Sequence, residues 1–218
     1  LQWALAMVFG GVLRHFRLRL AMHSHLRRME LQSRVRTDPL TGLYNRLGWN
    51  ELAPGIAAEG VERGRAVSVL FFDVDRFKLV NDVYGHDTGD QVLQQLSALI
   101  NRLRPVRSVA ARLGGEEFVV ILASSDPGAA QAFAQNVRAA FEDLEKSRGI
   151  TVSIGVARLQ QGEKLGQAMK RSDRALYRAK HAGRDRWVGF VAGDVPDAGI
   201  DGTDVPVDTL EATGHLRR

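Results

Sequence analysis

Two short stretches carry acids placed where they could do chemistry. Val67-Ser68-Val69-Leu70-Phe71-Phe72 is an apolar run rich in strand formers, and it ends in Asp73-Val74-Asp75. Side chains alternate along a strand, so Asp73 and Asp75 point to the same side. Further along, Gly114-Gly115-Glu116-Glu117 separates Ser108-Val109-Ala110-Ala111-Arg112-Leu113 from Phe118-Val119-Val120-Ile121-Leu122, two more runs with strand character. The glycine pair predicts a hairpin turn that leaves bare backbone open to a ligand, with Glu116 and Glu117 held at its rim and Phe118 anchoring the next strand. The chain has no cysteine. Thiolate metal sites and thiol catalysis are therefore excluded, and a metal bound here needs carboxylate, histidine or backbone ligands, which favours hard cations such as Mg²⁺. Taken singly, each stretch has an ordinary explanation. Gly-Gly turns followed by acids are common surface hairpins, and an Asp-x-Asp at a strand end is more often a helix cap with a salt-bridge partner than a metal site.

The elements that must position these acids read as an alternation of helices and strands. Asp38-Pro39 opens a turn leading into a helix around 45–58. After Asp75, Phe77, Val80 and Tyr84 fall at helical spacing and Gly85 closes the helix, with a polar loop expected at 86–90. Val92, Leu93, Leu96, Leu99, Ile100 and Leu103 mark a long amphipathic helix that Pro105 stops. A further helix is expected over 127–147, with Ala130, Phe133, Val137, Ala140, Phe141 and Leu144 on one side. Residues 151–157 read as a strand, 165–181 as a helix ended by Gly183, and 186–190 as a last edge strand. There is no internal repeat.

A chain of 218 residues with 44% hydrophobic composition can bury a real core, and one globular domain with flanking segments is the expectation. The net charge of +5 is mostly local. Residues 14–36 hold Arg14, Arg17, Arg19, Arg27, Arg28, Arg34 and Arg36 against Glu30 alone, while the segment from 191 onward is acidic apart from Arg217 and Arg218. A polynucleotide-binding face is not required. Residues 1–13 form an apolar run too short to span a bilayer by itself, followed by arginines; they read as the end of a transmembrane helix, with an amphipathic or buried signalling helix as the competing reading. Residues 14–36 read as a basic juxtamembrane or linker helix, 37–190 as the globular domain, and 191–218 as a disordered acidic tail.

From about Thr37 to Phe190 the chain resembles the GGDEF family of diguanylate cyclases. The resemblance rests on Asp38 to Arg46 (DPLTGLYNR), Asp73 to Asp90 (DVDRFKLVNDVYGHDTGD), Arg112 to Phe118 (RLGGEEF), Thr151 to Gly155 (TVSIG) and Ala175 to Arg186 (ALYRAKHAGRDR), in that order. It implies an α+β sandwich with a central mixed, mostly antiparallel five-stranded sheet surrounded by helices, related to nucleotidyl cyclases and polymerase palms. It also implies a reaction, in which two GTP condense to cyclic di-GMP with release of two pyrophosphates across a homodimer, with Mg²⁺ or Mn²⁺, two per active site. The alternative is a catalytically silent GTP-binding or interaction module. The implied catalytic domain faces the cytoplasm, anchored to the inner membrane through the N-terminal segment.

The resemblance assigns roles residue by residue. Asp73, the Val74 carbonyl and Glu116 match metal ligands, and Glu117 is implied either as a second-metal ligand or as a group that helps activate the attacking hydroxyl; Asp73, Glu116 and Glu117 are the implied catalytic residues. Asn81 and Asp90 fall on guanine-contact positions, Gly114 and Gly115 leave room for the nucleotide, and His86 has a structural or nucleotide-proximal role. Lys78, Lys180 and Arg184 are phosphate-directed cations, the last two expected one helical turn apart. Without the resemblance, Lys180 and Arg184 would read as a solvated helix end. Asp75 has no assigned role and is expected to be structural. Many family members carry an Arg-x-x-Asp inhibitory site five residues before the glycine pair. Here that register reads Pro105-Val106-Arg107-Ser108, so no inhibitory site is expected.

Overall fold

The computed structural model describes residues 36–145 and 148–190. The expectations for residues 1–13, for the linker helix up to residue 35 and for the tail from 191 lie outside the described residues. Among the described residues no helix is long and apolar enough to cross a membrane.

The elements run α1 (Arg46–Glu62), β1 (Ala66–Val74), α2 (Phe77–Tyr84), α3 (His86–Leu103), β2 (Ser108–Gly114), β3 (Glu117–Ser124), α4 (Ala129–Glu145), β4 (Val152–Arg158), α5 (Leu165–His181) and β5 (Trp187–Phe190). The strands form one five-stranded sheet in the order β2-β3-β1-β4-β5. Every pairing is antiparallel except that of β5 with β4, so the sheet is mixed and mostly antiparallel, as expected.

The two-residue period of the strands divides two cores. Leu70, Phe72 and Val74 of β1, with Phe118, Val120 and Leu122 of β3, pack beneath α2, α3 and α4. The intervening Val67 and Val69, with Val119, Ile121 and Ala123, pack against α1 and α5. Because both faces are covered, these strands read in sequence as continuous apolar runs rather than alternating ones. Burying a Phe72 or Leu70 side chain contributes on the order of 2 kcal/mol each relative to exposure.

Three local expectations are corrected. The polar loop expected at 86–90 is the first turn of α3, which starts directly after Gly85. Gly85, at φ 83° and ψ 161°, bends the chain sharply enough for one helix to end and the next to begin across a single residue. Helix α1 runs on to Glu62 rather than ending near 58. In α4 the last turn is rotated from its expected face, so that Leu144 is half exposed while Glu145 is fully buried and bound to Arg148 at 2.9 Å.

Candidate active site

The sheet brings the two acidic stretches together. Strand β3 begins opposite the end of antiparallel β1, with Asp73 paired across to Glu117. Gly115 and Glu116 form the turn between β2 and β3, so both glutamates project at the sheet edge where β1 delivers Asp73. On its other side Asp73 pairs with Ser153 of β4. Val74 is buried as the last residue of β1.

Helix α5 supplies the cation. It lies hard against β4: a Cβ on Gly155 would stand 2.0 Å from the Ser172 carbonyl oxygen, so only glycine fits there. The Ser172 hydroxyl donates to the Gly155 carbonyl at 2.9 Å and accepts from the Phe71 N–H at 3.1 Å, fixing the helix to two strands. Two turns later Lys180 reaches over the sheet edge, and its Nζ lies 2.8 Å from Asp73 Oδ2. Lys180 is thus the counter-ion of Asp73 in this structure.

The electrostatics are those of a site short of positive charge. Burial raises the Asp73 carboxyl, Lys180 pulls it down, and Glu116 and Glu117 push it up again, leaving it at about 6 against an ordinary 3.8. Glu117 is raised by loss of water around its partly buried carboxyl, then by the charges of Asp173 and Glu116. Asp173 is raised for the same first reason, against the pull of Lys180 and Arg174. Asp173 and Arg46, which the sequence reading leaves out, belong to this neighbourhood. Asp173 sits seven residues before Lys180 on α5, a spacing that places both on one helix face. Arg46 donates to the Leu113 carbonyl at 3.3 Å, a long-range contact with no spacing signal.

Asp75 is structural, as expected. It is buried, and it accepts from the hydroxyls of Thr151 and Ser153 at 2.7 Å each and from the Asp185 N–H at 3.1 Å. With its carboxylate so occupied, only Asp73 of the pair faces the site.

Asn81 and Asp90 stand on neighbouring helices α2 and α3, which cross so closely that a Cβ on Gly89 would meet Asn81 Oδ1 at 1.9 Å. Asn81 is half-buried, whereas Asp90, His86 and Lys78 are exposed. Gly114 and Gly115 are exposed at the tip. Arg184 corrects the sequence expectation: α5 ends at His181, so Arg184 is not one helical turn beyond Lys180 but lies past Gly183 with φ 63°. Its N–H donates to the Ala179 carbonyl at 3.0 Å, and its own carbonyl accepts from Arg186 Nε at 2.8 Å.

The donor set suits a hard cation. Asp73, Glu116 and Glu117 offer oxygen only, and their mutual repulsion is what a divalent ion would relieve. Among the described residues no three such side chains already converge at coordinating distance, and Lys180 holds one Asp73 oxygen.

A family model described as "Diguanylate cyclase, GGDEF domain" matches residues 35–186. The diguanylate cyclase DgcP of Pseudomonas aeruginosa is 37% identical over 172 residues, covering 76% of this chain and 25% of the relative. DgcM of Escherichia coli K12 is 35% identical over 159 residues, covering 72% of this chain and 39% of the relative. The chain thus spans well under two thirds of these relatives' length. The crystal structure of the GGDEF domain of DgcB from Caulobacter crescentus, in complex with c-di-GMP, superposes with a TM-score of 0.63 at 34% identity, covering 71% of this chain and 95% of that one. The active GGEEF domain of a Vibrio cholerae diguanylate cyclase gives 0.59 at 32% identity, covering 63% and 91%. From residue 35 to 186, then, this chain belongs to the GGDEF domain family of diguanylate cyclases.

Proposed function

We propose that the domain condenses two GTP into cyclic di-GMP, and that Asp73, Glu116, Glu117 and Lys180 are the centre of that chemistry. The observation that carries this is the Asp73 position: a buried carboxylate at a strand end, paired across the sheet with Glu117, close enough to Glu116 to feel its charge, and bonded to Lys180. Such an arrangement costs stability and fits a ligand that brings compensating charge.

In the proposed reaction each 3′-oxygen bonds to the α-phosphorus of the other GTP, the α–β bridging P–O bond breaks, and pyrophosphate leaves with the electron pair. Asp73, the Val74 carbonyl and Glu116, with Glu117 as the alternative second-metal ligand, would hold Mg²⁺ or Mn²⁺, which when bound neutralises the polyphosphate and acidifies the attacking hydroxyl. Glu117, whose carboxyl is raised, is suited to take the 3′-hydroxyl proton. Lys180 moves its charge from Asp73 to the phosphates as the nucleotide binds, with Lys78 and Arg184 as further cations. Asn81 and Asp90 read the guanine edge, where a carboxylate and an amide complement the N1–H, N2–H and O6 groups. Each protomer presents one GTP, so the active unit is a homodimer, facing the cytoplasm where GTP is found.

Product inhibition through residues 105–108 is not expected, because this register reads Pro105-Val106-Arg107-Ser108 and lacks both the arginine and the aspartate of an Arg-x-x-Asp site. The direct test is incubation with GTP and Mg²⁺ followed by chromatography. Cyclic di-GMP must form, and the Glu116→Ala/Glu117→Ala protein must form none.

A further inference from the structure

The turn after α5 is bent by consecutive left-handed residues, Arg184 at φ 63° and Asp185 at φ 47°. Asp visits that region with little penalty, whereas an arginine holds it only where its surroundings enforce it. Main-chain bonds do part of the enforcing. The Arg184 N–H donates to the Ala179 carbonyl at 3.0 Å, the Asp185 N–H to Asp75 Oδ2 at 3.1 Å, and the Ile154 N–H to the Arg186 carbonyl at 2.9 Å. The side-chain bonds come from α4, on the opposite face of the sheet from α5. Arg138 has Nη1 2.8 Å from Asp185 Oδ1, and Gln135, one turn earlier on the same helix, accepts from Trp187 Nε1 at 3.2 Å.

The charges make the Arg138 contact the decisive one. Asp75 is buried, and the Thr151 and Ser153 hydroxyls and the Asp185 N–H that bond it are neutral donors, which leave its negative charge in place. Asp185 therefore docks its N–H on one carboxylate while carrying another on its own side chain. Arg138 offsets the repulsion between them from a side chain only 19% exposed, where solvent screens weakly. The guanidinium is itself steadied by Glu142 Oε2 at 3.0 Å, one turn further along α4. Without that cation the Asp185 carboxylate is pushed away from Asp75, and the bond that holds the left-handed pair goes with it.

We propose that Arg138 is a positioning residue for the nucleotide site: by holding Asp185 on Asp75 across the sheet, it fixes the backbone from which the Arg184 guanidinium is presented. This rests on the reading that Arg184 is a phosphate-directed cation. Arg138 touches no reacting atom and acts through Asp185 alone, so its whole effect on the nucleotide must pass through Arg184.

The test is a double-mutant cycle between Arg138→Met and Arg184→Met in the full 218-residue chain, read as calorimetric binding of α,β-methylene-GTP and as KM and kcat for GTP, all with Mg²⁺. Arg138→Met is expected to weaken the analogue and raise KM by about tenfold with kcat little changed, and to have no further effect once Arg184 is Met. Both Arg138 contacts leave from Nη1, so Arg138→Lys can supply the charge from a single nitrogen and is expected to recover most of the affinity, whereas Arg138→Gln is not. An equal loss in both Arg184 backgrounds is what a merely structural role gives, and it overturns the proposal; so does parental affinity in folded Arg138→Met. If Arg138→Met does not fold, the Lys and Gln variants carry the comparison, and equal affinity in those two overturns it. If Arg184→Met itself matches the parent, or the parent binds no triphosphate, the reading of Arg184 falls and this proposal with it. If Arg184→Met is impaired while Arg138→Met is not, the Arg138 proposal alone falls.

Discussion

Arg112 ties Asp38 to the tip of the β2–β3 hairpin. Its Nη1 lies 3.1 Å from Asp38 Oδ1, and its Nε donates to the Gly115 carbonyl at 2.9 Å. Asp38 also accepts from the N–H and hydroxyl of Thr41, at 2.9 and 2.7 Å. Burial would raise the Asp38 carboxyl, but these bonds and Arg112 outweigh it and hold it below its usual value. The turn where the chain enters the domain is thereby coupled to the residues that carry Glu116. Replacing Arg112 by Ala is expected to cost about 1–2 kcal/mol of stability, as for a lost partly buried charge-assisted bond. Loosening the hairpin should also lower kcat by roughly ten- to a hundredfold, with KM for GTP little changed. Urea unfolding and steady-state kinetics check both; a kcat equal to that of the parent would show that the latch does not position the tip.

The Asp73 carboxyl sets a pH dependence of definite sign. Folded, it titrates at about 6 against an ordinary 3.8. Between those values the folded state therefore binds more protons than the unfolded state, and stability falls as pH rises through that window. Raised Glu117 and Asp173 act in the same direction. Without nucleotide or divalent ion, these groups should contribute a decline on the order of 1–3 kcal/mol from pH 4 to pH 6. Asp73→Asn should flatten it, as measured by denaturant titration across that range.

Lys180 is the one described cation bonded to Asp73. In Lys180→Met the aspartate loses its counter-ion, so its carboxyl should rise further. Because Lys180 is about a third exposed, at 33%, solvent tempers the stability cost to about 1 kcal/mol. Turnover should fall by about a hundredfold or more, since the same ammonium is proposed to meet the phosphates. Parallel measurement of melting and cyclic di-GMP formation separates the two effects.

Gly89 provides a test of base reading that leaves both proposed base-contact residues, Asn81 and Asp90, in place. A Cβ there would strike Asn81 Oδ1 at 1.9 Å, within reach of a side-chain rotation rather than a backbone shift. Gly89→Ala is therefore expected to fold, to displace the Asn81 amide, and to raise KM for GTP about tenfold. Asp90→Ala should relax selection against ATP. Unchanged GTP/ATP discrimination in both proteins would detach Asn81 and Asp90 from the guanine.

The sheet and its acidic edge were legible because they rest on local signals. An apolar strand ending in Asp73, a glycine pair and two glutamates needed only the antiparallel pairing of β1 with β3 to converge. What was not legible depends on single backbone angles or on contacts distant in sequence. The helix start at His86 follows from Gly85, and the departure of Arg184 from α5 follows from consecutive left-handed residues. The capture of Asp75 by Thr151 and Ser153 had a faint signal in their alternate spacing, and Asp173 had one in its spacing from Lys180. The Arg112 latch had none, because Asp38 lies 74 residues away in the chain.

The central claim is most directly tested by quantifying both products from GTP and Mg²⁺ with protein whose dimeric state is established by light scattering. Cyclic di-GMP and pyrophosphate are predicted in a 1:2 ratio under the proposed stoichiometry, with both products lost in Glu116→Ala/Glu117→Ala. A folded dimer that binds GTP but releases neither product would contradict the account.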